Sequence, residues 1–240
     1  MRTHPPSGSG PSCSPSAPAL ARLDADGYAV LPRLLPAADC AALSRRLPAP
    51  GSTTGSRCLL AQPWCRTLAR RLRRHALLAP VLDRGLVAVQ CSYFQKSLAR
   101  NWLVPVHQDL SVPVAGRVDH PALQGWSEKE GECFVQAPRD LLEQMVAVRL
   151  HLDACGLEDG PLRVVAASHL GGLLAPAAAS AARRDGPEAE CPVPRGGVML
   201  MRPLLLHASS KATGHGARRV LHFLFAPPIA PHGLQWRRRA

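Results

Sequence analysis

Val146-Ala147-Val148-Arg149-Leu150-His151-Leu152-Asp153 alternates without a break. Val146, Val148, Leu150 and Leu152 project to one face and Ala147, Arg149, His151 and Asp153 to the other, which is the period of a β-strand half-buried against a core. Related segments lie on both sides of it. Apolar runs at 86–95, 104–112, 161–166, 197–207 and 218–225 are separated by Gly and Pro, with Asp159-Gly160 and Gly196-Gly197 supplying turn chemistry. From residue 86 onward the chain reads as a mainly β domain.

Upstream of residue 86 the apolar period is nearer that of a helix. Asp26-Gly27 turns into a short strand at 28–31, Pro36 opens a helix with Leu43 and Leu47 on one face, and a second helix is predicted over 62–75. Residues 1–19 are rich in Pro, Ser and Gly, with too few large apolar groups to offset the entropy of ordering them. A disordered tail is expected there, followed by a single domain over 20–240. Two stretches break the β pattern: 115–138, with Pro121, Gly125 and Gly131, and 171–195. Such excursions are expected to be lids or binding loops.

A chain of 240 residues that is 46% hydrophobic can bury one sizeable core. No apolar run is long enough to span a bilayer or to form a signal-peptide core, so a soluble, cytoplasmic protein is expected. Eight cysteines, at 13, 40, 58, 65, 91, 133, 155 and 191, form no CxxC pair and signal neither a zinc site nor a disulfide framework. The formal charge of +12 would suit an anionic partner such as nucleic acid. Against that, aromatic residues make up only 4% of the chain and do not interleave with the basic ones. Arg70, Arg71, Arg73 and Arg74 read as the solvated face of a helix.

The chemistry-bearing residues are His107-Gln108-Asp109, at the end of the apolar run 102–106. Strand alternation points His107 and Asp109 to one face. His207, at the end of a strand over 198–206, is the natural third ligand. Two histidines and one carboxylate are the donor set of non-haem Fe(II) oxygenases, leaving positions open for a bidentate co-substrate and dioxygen. The co-substrate's far carboxylate calls for a planar, two-pronged cation, which Arg218 offers eleven residues past His207. Ser209 adds a hydroxyl from the same face as His207. An HxD tripeptide alone is weak, but the ordered set within a β-patterned segment is specific.

Lys96 and Trp126 are assigned as further co-substrate contacts, and Trp102 and Gln136 as substrate-side wall, since such cavities combine aromatic surfaces with few polar groups. His151, His169 and His222 are read as structural, and His120 as a loop residue. Arg218 and Arg219 point to opposite faces of one strand, and alternation does not choose between them.

These motifs resemble the bacterial branch of the phytanoyl-CoA dioxygenase family. The resemblance rests on Asn101-Trp102, Val104-Pro105, His107-Gln108-Asp109-Leu110, Leu150-His151-Leu152-Asp153, Gly160-Pro161-Leu162-Arg163-Val164-Val165, Ser168-His169 and Pro203-Leu204-Leu205-Leu206-His207-Ala208-Ser209-Ser210, and covers about residues 23–228. It implies a double-stranded β-helix, a jelly roll of the cupin type, with iron held by His107, Asp109 and His207 and 2-oxoglutarate by Arg218 and Ser209. It also implies an Fe(II)-dependent dioxygenase that uses O2 to convert 2-oxoglutarate to succinate and CO2 while hydroxylating an unactivated C–H bond of a small molecule. The family's spacing from the second histidine selects Arg218 over Arg219. Halogenating relatives carry a small residue where Asp109 stands. Val106, in place of a common Trp, and Phe134-Val135-Gln136-Ala137-Pro138 depart from the family pattern where substrate shape is read. The rival readings are a cupin-like metal-binding protein without oxygenase activity, since one barrel hosts many functions, and a basic nucleic-acid-binding protein.

Overall fold

The computed structural model describes residues 17–48, 55–83, 85–97, 101–214 and 216–240. Its strands are β1 Tyr28–Leu31, β2 Gly55–Ser56, β3 Val87–Lys96, β4 Val104–His107, β5 Ser111–Val114, β6 Gln124–Lys129, β7 Glu132–Gln136, β8 Val146–His151, β9 Leu162–Val165, β10 Glu188–Cys191, β11 Val198–Met201, β12 His207–Ser209 and β13 Arg218–Ala226. The helices are α1 Ala17–Ala25, α2 Ala37–Ser44, α3 Pro63–Arg73, α4 Ala79–Leu82, α5 Arg139–Gln144 and α6 Pro176–Asp185.

The strands form a six-stranded sheet ordered β1-β11-β8-β13-β3-β2, a four-stranded sheet ordered β10-β9-β12-β4 and a three-stranded sheet ordered β5-β7-β6. Neighbouring strands pair antiparallel. One face of the large sheet, including Val148, Leu150, Leu200, Leu221, Phe223 and Phe225, packs on the helices through Leu23, Cys40, Leu68, Leu72 and Leu82. In α3 the buried residues Cys65, Leu68, Ala69 and Leu72 follow helical spacing, which leaves Arg70, Arg71 and Arg73 on the opposite side. The other face closes over a second apolar cluster that includes Val112, Val135, Met199 and Leu224. No helix among the described residues is long and apolar enough to cross a membrane. The cysteines described are free thiols.

Several expectations need correction. Residues 1–16 lie outside the described residues, but Ala17–Ala19, assigned to the tail, begin α1, which docks through the fully buried Leu23. The strand at 146–151 is buried on both faces, because its Ala147, Arg149 and His151 side looks into the barrel and not into solvent. The run 104–112 is two strands, β4 and β5, since the Asp109 amide donates to Pro203 O (2.9 Å) and leaves the ladder. The run 197–207 also divides: Pro203 has no N–H to give a ladder, and the Leu205 amide closes a turn onto Arg202 O (3.0 Å). His207 therefore begins a strand and does not end one.

The 115–138 excursion is largely a hairpin in its own right. Glu130 (φ 54°) and Gly131 (φ 73°) take the left-handed conformation of a two-residue turn between β6 and β7. The 171–195 stretch contains α6 and β10.

Candidate metal centre

His107 and His207 are direct cross-strand partners on β4 and β12, and their ring centroids lie 4.2 Å apart. Asp109 is held between them: Oδ1 is 3.7 Å from His107 Nε2, and Oδ2 is 3.7 Å from His207 Nε2. One ligand atom from each of the three residues falls within 4.8 Å of the others, a grouping that could hold a metal ion. Each histidine places Nδ1 2.9 Å from a carbonyl two residues back, Pro105 O or Leu205 O. A carbonyl only accepts, so the proton sits on Nδ1 and the Nε2 lone pair faces the centre.

The protonation states also suit a divalent cation. Burial pushes the Asp109 carboxyl up, but His207, His222 and His107 more than offset it and hold it at about 2. The Asp109 side chain is 32% exposed, and that exposure is to the cavity it lines. Burial lowers His207 to about 4. Neutral imidazole and ionised carboxylate are the forms a metal requires, so these two ligands need shed no proton near neutral pH.

Gln108, between the ligands, points away from them and fixes the segment. Its Nε2 donates to Gly172 O (2.8 Å) and Leu204 O (2.6 Å), and its Oε1 accepts from the Leu174 amide (3.0 Å). Asp109 thus reaches the centre from a braced loop and not from a regular strand, as alternation assumed.

The centre opens into a cavity of about 710 Å³ whose lining includes Trp102, Leu110, Phe134, Arg149, Ser209, Arg218 and His222. Arg218 faces this cavity, with Nη1 donating to Gly160 O and Nε buried without a partner. Arg219 faces away and grips Asp153 with Nε (2.7 Å) and Nη2 (2.7 Å). Leu221, Phe223 and Phe225 follow Arg219 into the helix-side core, while His222 and Leu224 follow Arg218 into the cavity wall. Lys96 stands behind Ser209, donating to its Oγ (3.1 Å) and to Ser210 O (2.7 Å), with Trp102 5.5 Å from its ammonium. Burial first, and Arg218 next, lower the Lys96 ammonium to about 8.

Three assigned residues are not brought into the cavity wall: Lys96, which stands behind Ser209, and Trp126 and Gln136. Trp126 packs on the second apolar cluster, with Nε1 donating to Leu123 O (3.2 Å) and Arg117 over its ring. Gln136 is exposed at the end of β7, against Gly125. Among the other histidines, His151 is buried with Nδ1 unpartnered, His169 lies by Asp24 O (3.3 Å), and His120 stacks on His232. His222 is more than packing. Its Nε2 lies 3.6 Å from Asp109 Oδ2 and its Nδ1 accepts from Arg149 Nη1 (2.9 Å). Burial, then Arg149, lower it to about 3. The signal for His222 was available, because alternation on β13 puts it on the same face as Arg218.

The sequence matches the phytanoyl-CoA dioxygenase (PhyH) family over residues 23–220. A search by sequence finds no significant match among curated proteins. Among solved structures, the non-heme alpha-ketoglutarate-dependent carbocyclase SnoK from nogalamycin biosynthesis shares 17% identity, with a TM-score of 0.64 over 92% of this chain and 88% of its own. EctD from S. alaskensis in its apoform shares 16% identity, with a TM-score of 0.65 over 92% of this chain and 80% of its own. HygX from Streptomyces hygroscopicus, with nickel and 2-oxoglutarate bound, shares 18% identity, with a TM-score of 0.60 over 89% of this chain and 87% of its own. The shared fold is the jelly roll, a double-stranded β-helix with the helices packed on the large sheet. On the family match, which spans most of its length, this chain belongs to the phytanoyl-CoA dioxygenase family.

Proposed function

We propose that the protein is an Fe(II)- and 2-oxoglutarate-dependent dioxygenase that hydroxylates a small-molecule substrate, as one catalytic domain that includes α1 and runs over 17–240, in the cytoplasm, with neither nucleic acid nor membrane as partner. The observation that carries the reading is one cavity lined both by His107, Asp109 and His207 and by a buried guanidinium, Arg218, that has no carboxylate partner among the described residues. A protein that only stored or sensed a metal would have no use for that cation. HygX, of the same fold, has been crystallised with 2-oxoglutarate and with iron.

In this reading His107, Asp109 and His207 hold Fe(II). Arg218 and Ser209 take the far carboxylate of 2-oxoglutarate, and Lys96 fixes the Ser209 hydroxyl from behind. Trp102, Leu110 and Phe134 give the cavity apolar walls that exclude water and press the substrate toward the centre. Iron and 2-oxoglutarate, when bound, supply the oxidising chemistry: O2 is consumed, 2-oxoglutarate leaves as succinate and CO2, and one oxygen atom enters the substrate C–H bond. SnoK and SnoN, a carbocyclase and an epimerase of the same fold, mark the outcomes other than hydroxylation. Asp109 occupies the position that halogenation would leave to chloride.

Thermal unfolding tests the reading. Ligands that bind only the native state add stability in proportion to the logarithm of their saturation, so Fe(II) with 2-oxoglutarate raises the melting temperature, and His107→Ala and His207→Ala abolish the rise. Fe(II) binding with no further shift on adding 2-oxoglutarate would favour the metal-binding rival. A product heavier by one oxygen marks hydroxylation, whereas a chlorinated, cyclised or epimerised product overturns that part of the proposal.

A further inference from the structure

Among the described residues that line the cavity, Arg149 and Arg218 are the buried cations, and Arg149 has no part in holding Fe(II) or the carboxylate taken by Arg218 and Ser209. It sits in the middle of β8, opposite His222 on β13 and Met199 on β11, and is 5% exposed. Its Nη1 is committed to His222 Nδ1 (2.9 Å), its guanidinium lies 5.7 Å from the Phe94 ring, and its Nε is buried without a partner. Arg218, also 5% exposed, has the same arrangement: Nη1 is committed to Gly160 O and Nε is buried and unpartnered. Among the described residues no carboxylate comes within 4.0 Å of either guanidinium. The one carboxylate lining the cavity among the described residues, Asp109, belongs to the metal centre.

Two desolvated guanidiniums of like charge facing one cavity are unfavourable unless an anion joins them. Asp109, which favours the charge on Arg149, is committed to the metal centre, so the anion that joins both arginines must come from a ligand. The keto-acid end of 2-oxoglutarate is taken by the metal, which leaves its distal carboxylate, with two oxygens and about four acceptor positions. Arg218 lines the cavity from β13 and Arg149 lines it from the neighbouring β8, so both guanidiniums border the space that carboxylate would enter. The other occupant considered for Arg149 is an anionic group on the substrate to be oxidised. That leaves Arg149 with only the metal-committed Asp109 whenever 2-oxoglutarate alone is bound, so the shared carboxylate is favoured.

We infer that the distal carboxylate of the co-substrate is gripped by two guanidiniums, Arg149 as well as Arg218. This rests on the 2-oxoglutarate-dependent reading of the site.

The test is anaerobic titration calorimetry of the Fe(II)-loaded protein with 2-oxoglutarate and with 2-oxopentanoate, which keeps the keto acid but lacks the distal carboxylate. Wild type is expected to prefer 2-oxoglutarate by more than about 100-fold, as a doubly gripped carboxylate should. Arg149→Gln is expected to lose about 10-fold or more of the affinity for 2-oxoglutarate, with affinities for 2-oxopentanoate and Fe(II) unchanged. Arg218→Gln keeps a preference for 2-oxoglutarate of about 10-fold, because Arg149 remains; this arm decides even where Arg149→Gln does not fold.

Equal binding of the two keto acids by Arg218→Gln overturns the inference. So does wild-type 2-oxoglutarate affinity in Arg149→Gln, the result if Arg149 awaits an anion on the oxidised substrate. An equal loss of both keto acids in Arg149→Gln also overturns it, since the residue would then act on the metal through His222. Failure of the underlying reading shows separately, as an iron-loaded wild type that binds neither keto acid.

Discussion

The two faces of the strand pair β8–β13 carry opposite loads. Toward the helices, Val146, Val148, Leu150, Leu221, Phe223 and Phe225 form an unbroken apolar surface whose interactions are non-directional. Toward the barrel, Arg149, His151, Arg218 and His222 stand among Ala147, Val220 and Leu224 and are as deeply buried, and two of the arginine nitrogens and one of the histidine nitrogens find no partner. The first face stabilises the fold. The second sets aside stability to hold unpaired charge at a fixed position, where a metal and an anion complete it.

The comparison breaks most visibly if the faces are truncated one at a time. His207→Ala, on the strand facing this pair, should weaken Fe(II) binding by more than about 100-fold, beyond the range for residues that only orient a ligand. Phe223→Ala should leave iron affinity unchanged and destabilise the fold by about 3–5 kcal/mol in denaturant titration. Iron affinity falling with Phe223→Ala would mean that the two faces are coupled.

The adjacent arginines give a sharper contrast. Arg218→Ala should weaken 2-oxoglutarate binding by about 2–5 kcal/mol, roughly two orders of magnitude, while Arg219→Ala leaves it unchanged. Arg219→Ala instead costs about 1 kcal/mol of stability through its partly exposed pair with Asp153. The reverse order in calorimetry would shift the register of β13 by one residue.

Acid should loosen the polar face alone. In the metal-free protein burial holds His207 at about 4 and His222 at about 3, whereas an unfolded histidine titrates near the ordinary 6.5. Between those values the unfolded state binds more protons, so this stability is fully present above pH 6.5 and is lost as pH falls toward 4. By pH 5 the loss is about 2 kcal/mol per histidine, and Fe(II) binding should restore much of it. A melting temperature flat from pH 7 to 5 would contradict the neutral buried state. The smallest effect is expected at Gln108→Ala, about 1–2 kcal/mol in stability with weakened iron binding, since the loop carrying Asp109 loses its brace.

Strand alternation made the apolar face legible, because period and hydrophobicity agree along 146–152 and 218–225. Alternation also located the polar face but assigned its environment wrongly: a strand with Arg149 and His151 on one side looks half-solvated, and only the opposing sheet buries them. Likewise the sequence pattern marked His107, Asp109 and His207, whereas the break at Gln108–Leu110 depends on contacts with residues 172, 174, 203 and 204 that local pattern does not encode. Trp126 and Gln136 were assigned from flanking the metal motif and from the general make-up of such cavities, but they belong to the β6–β7 hairpin, which keeps them out of the cavity wall. His222 falls on the face of Arg218 by alternation, yet its contact with Asp109 comes from another sheet, and Arg149 drew no role because it stands among aliphatic neighbours on its strand.

The most direct test of the central claim is succinate formation from 2-oxoglutarate by the iron-loaded protein. The account predicts release of succinate that requires both O2 and Fe(II), persists at a low rate without substrate, and disappears in His207→Ala. Succinate that forms equally in the variant, or none from wild type that binds Fe(II) and 2-oxoglutarate, would contradict it.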